Sequence, residues 1–271
     1  MSKLGCYSSD MTGRMSLFFG APTDVNGTYG ATLWGGQDKT IGEIGEMVKD
    51  FVRGYAWCRT GGQQILVGMG TSTSGADNKP DEWMADHGHV WASVVKAVSD
   101  WADLTYPGIA LVYGAWDAEP SWSAFSKADM WMQGYNAWPE NRSVHVHMSA
   151  DGCPRNSSDD GPCSNGWSQY LVWRAAWQYD PSLPMPQIYA FSGVNARQWQ
   201  KIDEYGARYQ GDGITFYGLM TQYGACMQVG GCDATGNLPH MGHEQLLAEL
   251  NLSELTQQRS LDTVTDIYWH F

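Results

Sequence analysis

The sequence predicts an α/β protein of one domain, a (β/α)8 barrel of the TIM type whose loops are held by disulfide bonds. Short runs rich in β-forming residues alternate with longer stretches of helical periodicity across residues 1–271, and no proline-rich linker separates them. Eight strand–helix units fit a chain of this length. The six cysteines lie where disulfide bonds would brace irregular loops and the N-terminus.

Seven strands and six helices are predicted in alternation, and the N-terminal run LGCYSS would supply the eighth strand. The strands are predicted at residues 16–22, 28–36, 64–70, 108–119, 143–151, 186–191 and 213–222. The helices are predicted at residues 40–58, 88–104, 123–138, 167–178, 194–209 and 240–251. Apolar residues recur at helical spacing in these segments, as in the stripe Ile41, Ile44, Met47, Phe51 and Tyr55.

A doubly wound open sheet is the alternative fold for such an alternation. That fold usually carries a glycine-rich phosphate loop after its first strand. The sequence contains no GxGxxG or Walker motif, and the glycine-rich stretch GMGTSTSG lacks the lysine and the spacing of a phosphate loop. We therefore favour the barrel and expect no nucleotide or other cofactor.

The cysteines predict three disulfide bonds. Cys153 and Cys163 flank one irregular loop, Cys226 and Cys232 flank another, and Cys6 and Cys58 would tie the N-terminus to the first long helix. Free thiols or a metal site are the alternatives, but no CxxC occurs, which argues against zinc. Disulfide bonds indicate an exported protein. We expect a secreted chain whose leader has been replaced by the starting methionine.

The charge and the aromatic content limit the partners. The formal net charge of −13 disfavours nucleic acid and anionic membrane surfaces. Fourteen tryptophans and fourteen tyrosines, with only 17% charged residues, suit stacking on neutral, hydroxyl-rich ligands. We expect a monomer that binds a polysaccharide or an oligosaccharide.

The stretch VYGAWDAEPSW, residues 112–122, contains the main candidates for catalysis. An apolar strand ends there in Asp117 and Glu119, and side chains two residues apart on a strand face the same way. The C-terminal ends of barrel strands form the active site, and neighbouring carboxyl groups push their pKa values apart. We expect Glu119 to be a general acid and base, with Asp117 tuning it or orienting the substrate. Alternatively, one acid caps the helix after EPSW.

The next strand, SVHVHMSAD, has the polar face expected beside a site. His145, His147, Ser149 and Asp151 alternate with apolar residues and so share one face. Asp151 lies nearest the strand end and is the third candidate catalytic residue, whereas His147 is expected to bind substrate. The H-x-H pair could also bind a metal ion, but buried histidines are more often hydrogen-bonded core residues, and we expect no metal.

Further substrate-binding residues are predicted from their places at strand ends and in loops. Some would donate or accept hydrogen bonds, and others would stack on sugar rings. They are Gln187, Tyr189 and Gln222 near strand ends, Trp34, Trp116, Trp122 and Trp167 in loops or at element edges, and Asp24 after the first strand.

The phrases WDAEPSW, GWSQYLVW, PMPQIYAFSGVNARQW and GLMTQYGAC together resemble a group of secreted, disulfide-bearing actinobacterial proteins of uncharacterised role with glycoside-hydrolase-like barrels. The likeness covers most of the chain from about residue 60. More distantly, the D-x-E of Asp117 and Glu119 is similar to that of muramidase-type (family 25) and chitinase-type barrel glycoside hydrolases. The resemblance implies the fold more strongly than the activity.

The sequence departs from those enzymes in its acids. The longer DxxDxDxE run of chitinase-type enzymes is absent. A large clan of retaining glycosidases places Asn before the acid and a second Glu near the seventh strand, whereas Ala118 precedes Glu119 here and that segment offers only Gln222. In the resembling group a Glu often stands where this chain has Gln187, which implies the loss of one acid.

The leading hypothesis is a secreted carbohydrate-active hydrolase that cleaves the glycosidic bonds of a polysaccharide. One alternative, favoured by Gln187 and by the missing second Glu, is a glycan-binding (lectin-like) barrel with weakened catalysis. Another is a metal-dependent hydrolase that uses His145, His147 and an acid.

Overall fold

A computed structural model describes residues 1–11, 13–62, 64–180 and 182–269, and shows a mixed α/β protein with a parallel central sheet of five strands. The strands are β1 Gly13–Phe18, β2 Ala21–Val25, β3 Thr28–Thr32, β4 Asp38–Thr40, β5 Ile65–Ser72, β6 Ala110–Ala118, β7 Val144–Met148, β8 Ser182–Pro184, β9 Gly218–Thr221 and β10 Thr263–Asp266. The helices are α1 Ser2–Tyr7, α2 Ile41–Cys58, α3 Asp81–Thr105, α4 Phe125–Ala137, α5 Gln169–Trp173, α6 Val194–Tyr205, α7 Tyr223–Gln228 and α8 Pro239–Leu250.

The central sheet has the strand order β1-β5-β6-β7-β8. Strand β5 runs parallel to both β1 and β6, and helices lie in the connections between these strands because parallel neighbours need a crossover. A further parallel pair joins β9 to β10. The predicted α/β class is confirmed, whereas a closed barrel of eight strands is not shown by the described residues.

The chain forms two compact units. The first comprises Met1–Asp117 and Ser126–His145, and the second comprises Ala118–Phe125 and the chain from Val146 onward. Asp117 and Glu119 therefore belong to different units. The predicted single domain of residues 1–271 stays a prediction.

All six predicted helices are present, with shifted boundaries. Helix α2 shows why its segment folds as expected. The Thr40 hydroxyl accepts a hydrogen bond from the Glu43 backbone N–H (3.2 Å), and the Glu43 carboxylate accepts one from the Thr40 backbone N–H (2.9 Å). This capping box satisfies the helix start, and Ile41, Ile44 and Phe51 of the predicted stripe are buried.

The strand predicted at 28–36 is present over residues 28–32 as β3. It belongs to a separate antiparallel sheet with the order β2-β3-β4 and not to the central sheet, so its predicted place in the barrel is wrong. Asn26 and Gly27 between β2 and β3 have φ angles of +54° and +82°. An Asn-Gly pair in this conformation makes the tight turn of a β-hairpin. The turn makes β3 antiparallel to β2, whereas a strand of the parallel sheet would need a crossover connection.

The N-terminal run LGCYSS forms most of helix α1 instead of the predicted eighth strand. Gly5 approaches the Phe51 carbonyl group and Gly54 approaches Ser2 so closely that a Cβ atom on either glycine would overlap backbone atoms. Helix α1 can therefore pack tightly against α2, and the Cys6–Cys58 disulfide closes the pair.

The three predicted disulfide bonds are all present. They join Cys6 to Cys58, Cys153 to Cys163 and Cys226 to Cys232. The last two close loops with sequence separations of 10 and 6 residues. These loops have little regular structure of their own, so a covalent cross-link restricts their unfolded conformations.

The first unit has an aromatic core centred on Trp131. The Trp116 and Trp131 rings stack with centroids 4.0 Å apart. The Trp131 indole N–H donates to His87 Nδ1 (3.0 Å), and His87 Nε2 donates to the Gly30 carbonyl (2.9 Å). Burial lowers the pKa of His87 to about 4, so the imidazole stays neutral and can accept at Nδ1.

The second unit contains a buried carboxyl group on α6. Asp203 is 1% exposed, and its Oδ1 accepts a hydrogen bond from the Ile214 backbone N–H at 2.7 Å. Burial raises the pKa of Asp203 to about 8, and the charges of Glu204 and Asp212 add to the rise. Loss of water around the ionised form outweighs the one hydrogen bond that favours it.

Asp203→Asn should change how stability depends on pH. An aspartate in an unfolded chain titrates near pH 4, whereas Asp203 in the folded chain holds its proton up to about pH 8. The stability that this proton contributes is complete below about pH 4 and is lost as the pH rises through about 8. The variant keeps an acceptor for Ile214, so its unfolding free energy should fall less than that of the wild type.

Urea denaturation between about pH 4 and pH 8 measures the difference. If the unfolding free energies of the wild type and Asp203→Asn changed equally with pH, the prediction would be wrong.

Candidate functional site

Polar residues in the second unit follow the C-terminal ends of successive strands. Glu119 comes directly after β6, and Asp151 and Gln187 each come three residues after β7 and β8. The Gln187 backbone N–H donates to the Met148 carbonyl (2.9 Å), and Gln187 also pairs with Met220 in a parallel bridge. These contacts fix the backbone of Gln187 between the ends of β7 and β9.

The central contact of the site joins Gln187 to Glu119. The Gln187 Nε2 amide donates a hydrogen bond to Glu119 Oε1 at 2.7 Å. Gln187 is 3% exposed, and Glu119 is partly buried. Because Oε1 accepts the amide N–H, the proton of the neutral carboxyl belongs on Oε2.

Glu119 has a perturbed carboxyl group. Burial is the largest influence and raises its pKa to about 7. The Gln187 hydrogen bond lowers the pKa, and the negative charge of Asp151 raises it. Since burial removes water from the ionised form, the carboxyl exchanges a proton near neutral pH, which an exposed glutamate does not do.

The Asp151 side chain is bound by Ser121, which lies two residues after Glu119 in the chain. The Ser121 hydroxyl donates to Asp151 Oδ2 at 2.6 Å. The Ser164 backbone N–H donates to the Asp151 carbonyl at 2.8 Å, next to the Cys153–Cys163 disulfide. The disulfide loop therefore helps to fix the second carboxylate.

The EPSW segment forms a turn that displays Glu119 and Ser121. The Trp122 backbone N–H donates to the Glu119 carbonyl at 3.0 Å, which places Pro120 at the second position of the turn, where its fixed φ angle is favourable. The Trp167 indole N–H donates to the Ser123 carbonyl at 2.8 Å. The turn is thus anchored at both ends within the second unit.

The predicted strand 186–191 is wrong in this region. Only Gln187 forms a bridge, and the residues after it are irregular. The Asn195 Oδ1 atom accepts hydrogen bonds from the backbone N–H groups of Tyr189 and Ala190 (3.1 and 2.9 Å). Side-chain partners replace a sheet ladder here, because buried backbone groups need partners of some kind.

Asp117 lies in the first unit, at 8% exposure, and its carbonyl accepts a hydrogen bond from the Thr73 backbone N–H at 2.9 Å. Strand β6 ends at Ala118, so the alternation that predicted a common face for Asp117 and Glu119 does not extend to Glu119. A catalytic role for Asp117 stays a prediction.

The two histidines of the H-x-H pair lie in buried positions. His145 Nε2 accepts a hydrogen bond from Arg14 at 3.0 Å in the first unit. Burial lowers the pKa of His147 to about 3, so this imidazole is neutral at physiological pH. Contact between His147 and a substrate stays a prediction.

Two of the predicted stacking tryptophans are wrong. Trp116 lies within β6 at 0% exposure, and Trp167 is 1% exposed and packs edge-on to Phe125. Both rings are core residues, because a central parallel strand is covered on both faces and because Trp167 anchors the EPSW turn. Neither ring can stack on a ligand in this structure.

The remaining predicted residues are accessible to different degrees. Trp34 is 41% exposed in the first unit, where Asp24 accepts a hydrogen bond from the Gly27 backbone N–H (2.8 Å) in the hairpin turn. Trp122, Tyr189 and Gln222 are partly buried in the second unit. Asp24 has a structural role in the hairpin.

Sequence reasoning missed Ser121, Asn195 and Asn237. Ser121 holds Asp151, and both asparagines bind the backbone after Gln187. Ser121 lies in the EPSW segment two positions after a candidate acid, so the sequence could have indicated it. No such signal exists for Asn237, because it lies 50 residues from Gln187 in the chain.

Comparisons with known proteins add no relative: no protein-family model, no curated protein and no solved structure matches this chain. No helix in the described part of the chain is both long and apolar enough to cross a membrane. Among the described residues, no group of three or more His, Cys, Asp or Glu side chains could hold a metal ion.

Asp151→Asn and Gln187→Met should move the pKa of Glu119 in opposite directions. Removing the Asp151 charge removes a cause that raises the pKa, so the value should fall below about 7. Removing the Gln187 amide removes a cause that lowers it, so the value should rise. Carbon-13 NMR titration of the Glu119 carboxyl carbon measures both changes.

Asp262→Asn is the matched control, since it also removes one negative charge from the second unit, and the exposed Asp262 does not contribute to the pKa of Glu119. Shifts of the same sign in Asp151→Asn and Gln187→Met would refute this description of the site.

Proposed function

We propose that this protein is a secreted carbohydrate-active hydrolase that cleaves the glycosidic bonds of a neutral polysaccharide. The observation that carries the proposal is the pair of carboxyl groups at the strand ends of the second unit, Glu119 and Asp151, of which one exchanges its proton near pH 7. Glycoside hydrolysis needs two carboxyl groups, one acting as the acid.

Glu119 is the general acid of the proposed reaction. Burial keeps a substantial fraction of this carboxyl protonated at neutral pH, and an acid whose pKa lies near the working pH transfers protons most effectively. With Oε1 held by Gln187, Oε2 delivers the proton to the oxygen of the departing sugar. The glycosidic bond then breaks as this oxygen becomes a hydroxyl group.

Asp151 is the second carboxyl group of the proposed reaction. Its Oδ2 accepts a hydrogen bond from Ser121, which fixes its position. A fixed carboxylate can stabilise the positive charge that develops on the sugar ring, or it can take a proton from the attacking water.

The composition and the cross-links agree with an extracellular polysaccharide as substrate. The net charge of −13 repels anionic polymers, which favours a neutral glycan. Three disulfide bonds fit an oxidising environment. Secretion, the monomeric state and a closed (β/α)8 barrel as the finer architecture remain parts of this proposal.

A lectin-like protein is the second candidate, and the observation that favours it is the amide of Gln187 beside Glu119. If an acid is needed at this position, the present chain binds glycans and hydrolyses them poorly. The Gln187→Glu variant distinguishes the two candidates: if the present chain is lectin-like, this variant should hydrolyse glycans that the wild type only binds.

Glu119→Gln should lower hydrolysis at least about 100-fold, because it removes the acid and keeps the shape. The measurement is a reducing-end assay on neutral plant and bacterial polysaccharides, with EDTA present so that trace metal ions do not contribute. Asp262→Asn is the control and should keep wild-type activity. A Glu119→Gln variant as active as the control would sink the proposal.

The rate should also fall as the pH rises through about 7. Above this value Glu119 loses its proton, and the ionised carboxylate cannot act as the acid. The alkaline limb of kcat/KM against pH reports this ionisation in the free enzyme. A rate that stays level up to pH 9 would assign the proton to another group.

A further inference from the structure

An exposed aromatic ring lies close to the candidate site in the chain. Phe191 is 48% exposed and follows Gln187 by four residues. Single exposed apolar side chains are ordinary on protein surfaces. Phe191 differs in the way that its backbone is fixed and in its link to Glu119 through Gln187.

The backbone from Ile188 to Phe191 is hydrogen-bonded at every residue although it belongs to no strand. Backbone N–H and carbonyl groups of Ile188, Tyr189, Ala190 and Phe191 each find partners within the second unit. We call this stretch the 188–191 arm. A loop with all its polar groups satisfied is held in one conformation.

Two asparagine side chains provide much of this bonding. Asn195 Oδ1 accepts the Tyr189 and Ala190 backbone N–H groups. Asn237 Nδ2 donates to the Ile188 and Ala190 carbonyls (3.3 and 3.0 Å), and Asn237 is 0% exposed. Buried polar side chains that are fully used in this way make a loop rigid.

The arm ends in a tight turn that presents the Phe191 ring. The Gly193 backbone N–H donates to the Ala190 carbonyl at 3.1 Å, so Phe191 is the second residue of the turn. The ring edge lies against Gly236, where an added Cβ would sit 3.2 Å from Phe191 Cζ. Gly236 lies beside Cys232 of the Cys226–Cys232 disulfide, and the Phe191 backbone N–H donates to the Ala234 carbonyl.

The arm limits the distance between the ring and the acid. Gln187 contacts Glu119 directly, and because four residues of chain reach at most roughly 14 Å, the Cα atoms of Gln187 and Phe191 lie no farther apart than that. A chain of several sugars can span such a distance. A ring fixed there suits contact with a polymer, because the apolar faces of sugars stack on aromatic rings. Since the ring is already held in place, little binding free energy is spent on ordering it.

We propose that Phe191 is a stacking platform for a distal sugar unit of a neutral polysaccharide bound at the Glu119 site. The inference rests on the proposed function for the identity of the ligand. It adds a binding residue that makes no contact with the cleaved bond, and it predicts a preference for long chains over short ones.

Affinity electrophoresis tests the platform in gels that contain hydroxyethylcellulose, laminarin, xylan, galactomannan or glycol chitin. All variants are made in the Glu119→Gln background so that the polymer is not degraded. At least one polymer should retard the parent protein. Phe191→Ala and Phe191→Leu should bind that polymer about 3- to 10-fold more weakly, as expected for one aromatic contact.

Phe191→Trp should keep the binding, since it retains an aromatic face. Trp57→Ala is the matched control, because Trp57 is 89% exposed on α2 in the first unit, and it should bind as the parent does. The loss in Phe191→Leu should be larger for hexasaccharides than for disaccharides of the same polymer. Equal retardation of Phe191→Ala, Phe191→Leu and the parent, or no retardation by any polymer, would overturn the inference.

The two proposals fail in different ways. If Glu119→Gln abolishes hydrolysis while the Phe191 variants bind normally, the platform is wrong and the proposed function stands. If the Phe191 variants lose binding while hydrolysis is independent of Glu119, the platform stands and the assignment of the acid is wrong.

Discussion

The hydrogen bond from the Gln187 amide to the Glu119 carboxyl is the contact on which the candidate site depends. It joins the residues that follow two separate strands, and the backbone of Gln187 is itself fixed to Met148 and Met220. Glu119 is thereby held at a defined place by a neutral amide donor. A lysine or arginine in the place of Gln187 would hold the carboxyl in its ionised form.

Two opposing effects set the proton affinity of Glu119. A neutral amide donor stabilises the carboxylate by a modest amount, whereas burial removes the water that stabilises it more. Burial prevails, and the nearby charge of Asp151 acts in the same direction. Asp203 shows the same balance on α6 with a backbone donor in place of an amide side chain. In both places burial outweighs the hydrogen bonding that favours the ionised form.

Local patterns in the sequence predicted much of the fold. Helical periodicity located the six predicted helices, and loop composition located two of the three cross-links, which left Cys6 and Cys58 to form the third. The hairpin at Asn26-Gly27 was missed even though this dipeptide is a strong turn signal. The run PQIYAF has the composition of a strand, yet only Gln187 pairs, because Asn195 and the distant Asn237 provide the other partners. No local pattern reveals such partners.

The candidate site was predictable in part, for similar reasons. Glu119, Asp151 and Gln187 follow apolar strand segments, and the polar ends of parallel strands meet at one edge. The structure brings these three together through short contacts and through the effect of Asp151 on Glu119. The place of Trp116 was not predictable from its neighbours, because its burial depends on stacking with Trp131. Long-range packing decides exposure, and a single sequence does not display it.

The role of Glu119 as the acid can be tested most directly by changing the leaving group. Glu119→Gln would be compared with the wild type on the polysaccharide that the wild type cleaves and on the dinitrophenyl glycoside of the same sugar. Dinitrophenolate departs without a proton, so the variant should lose hydrolysis of the polymer but still cleave the activated glycoside. Equal losses on both substrates, or no loss on the polymer, would show that Glu119 is not the acid.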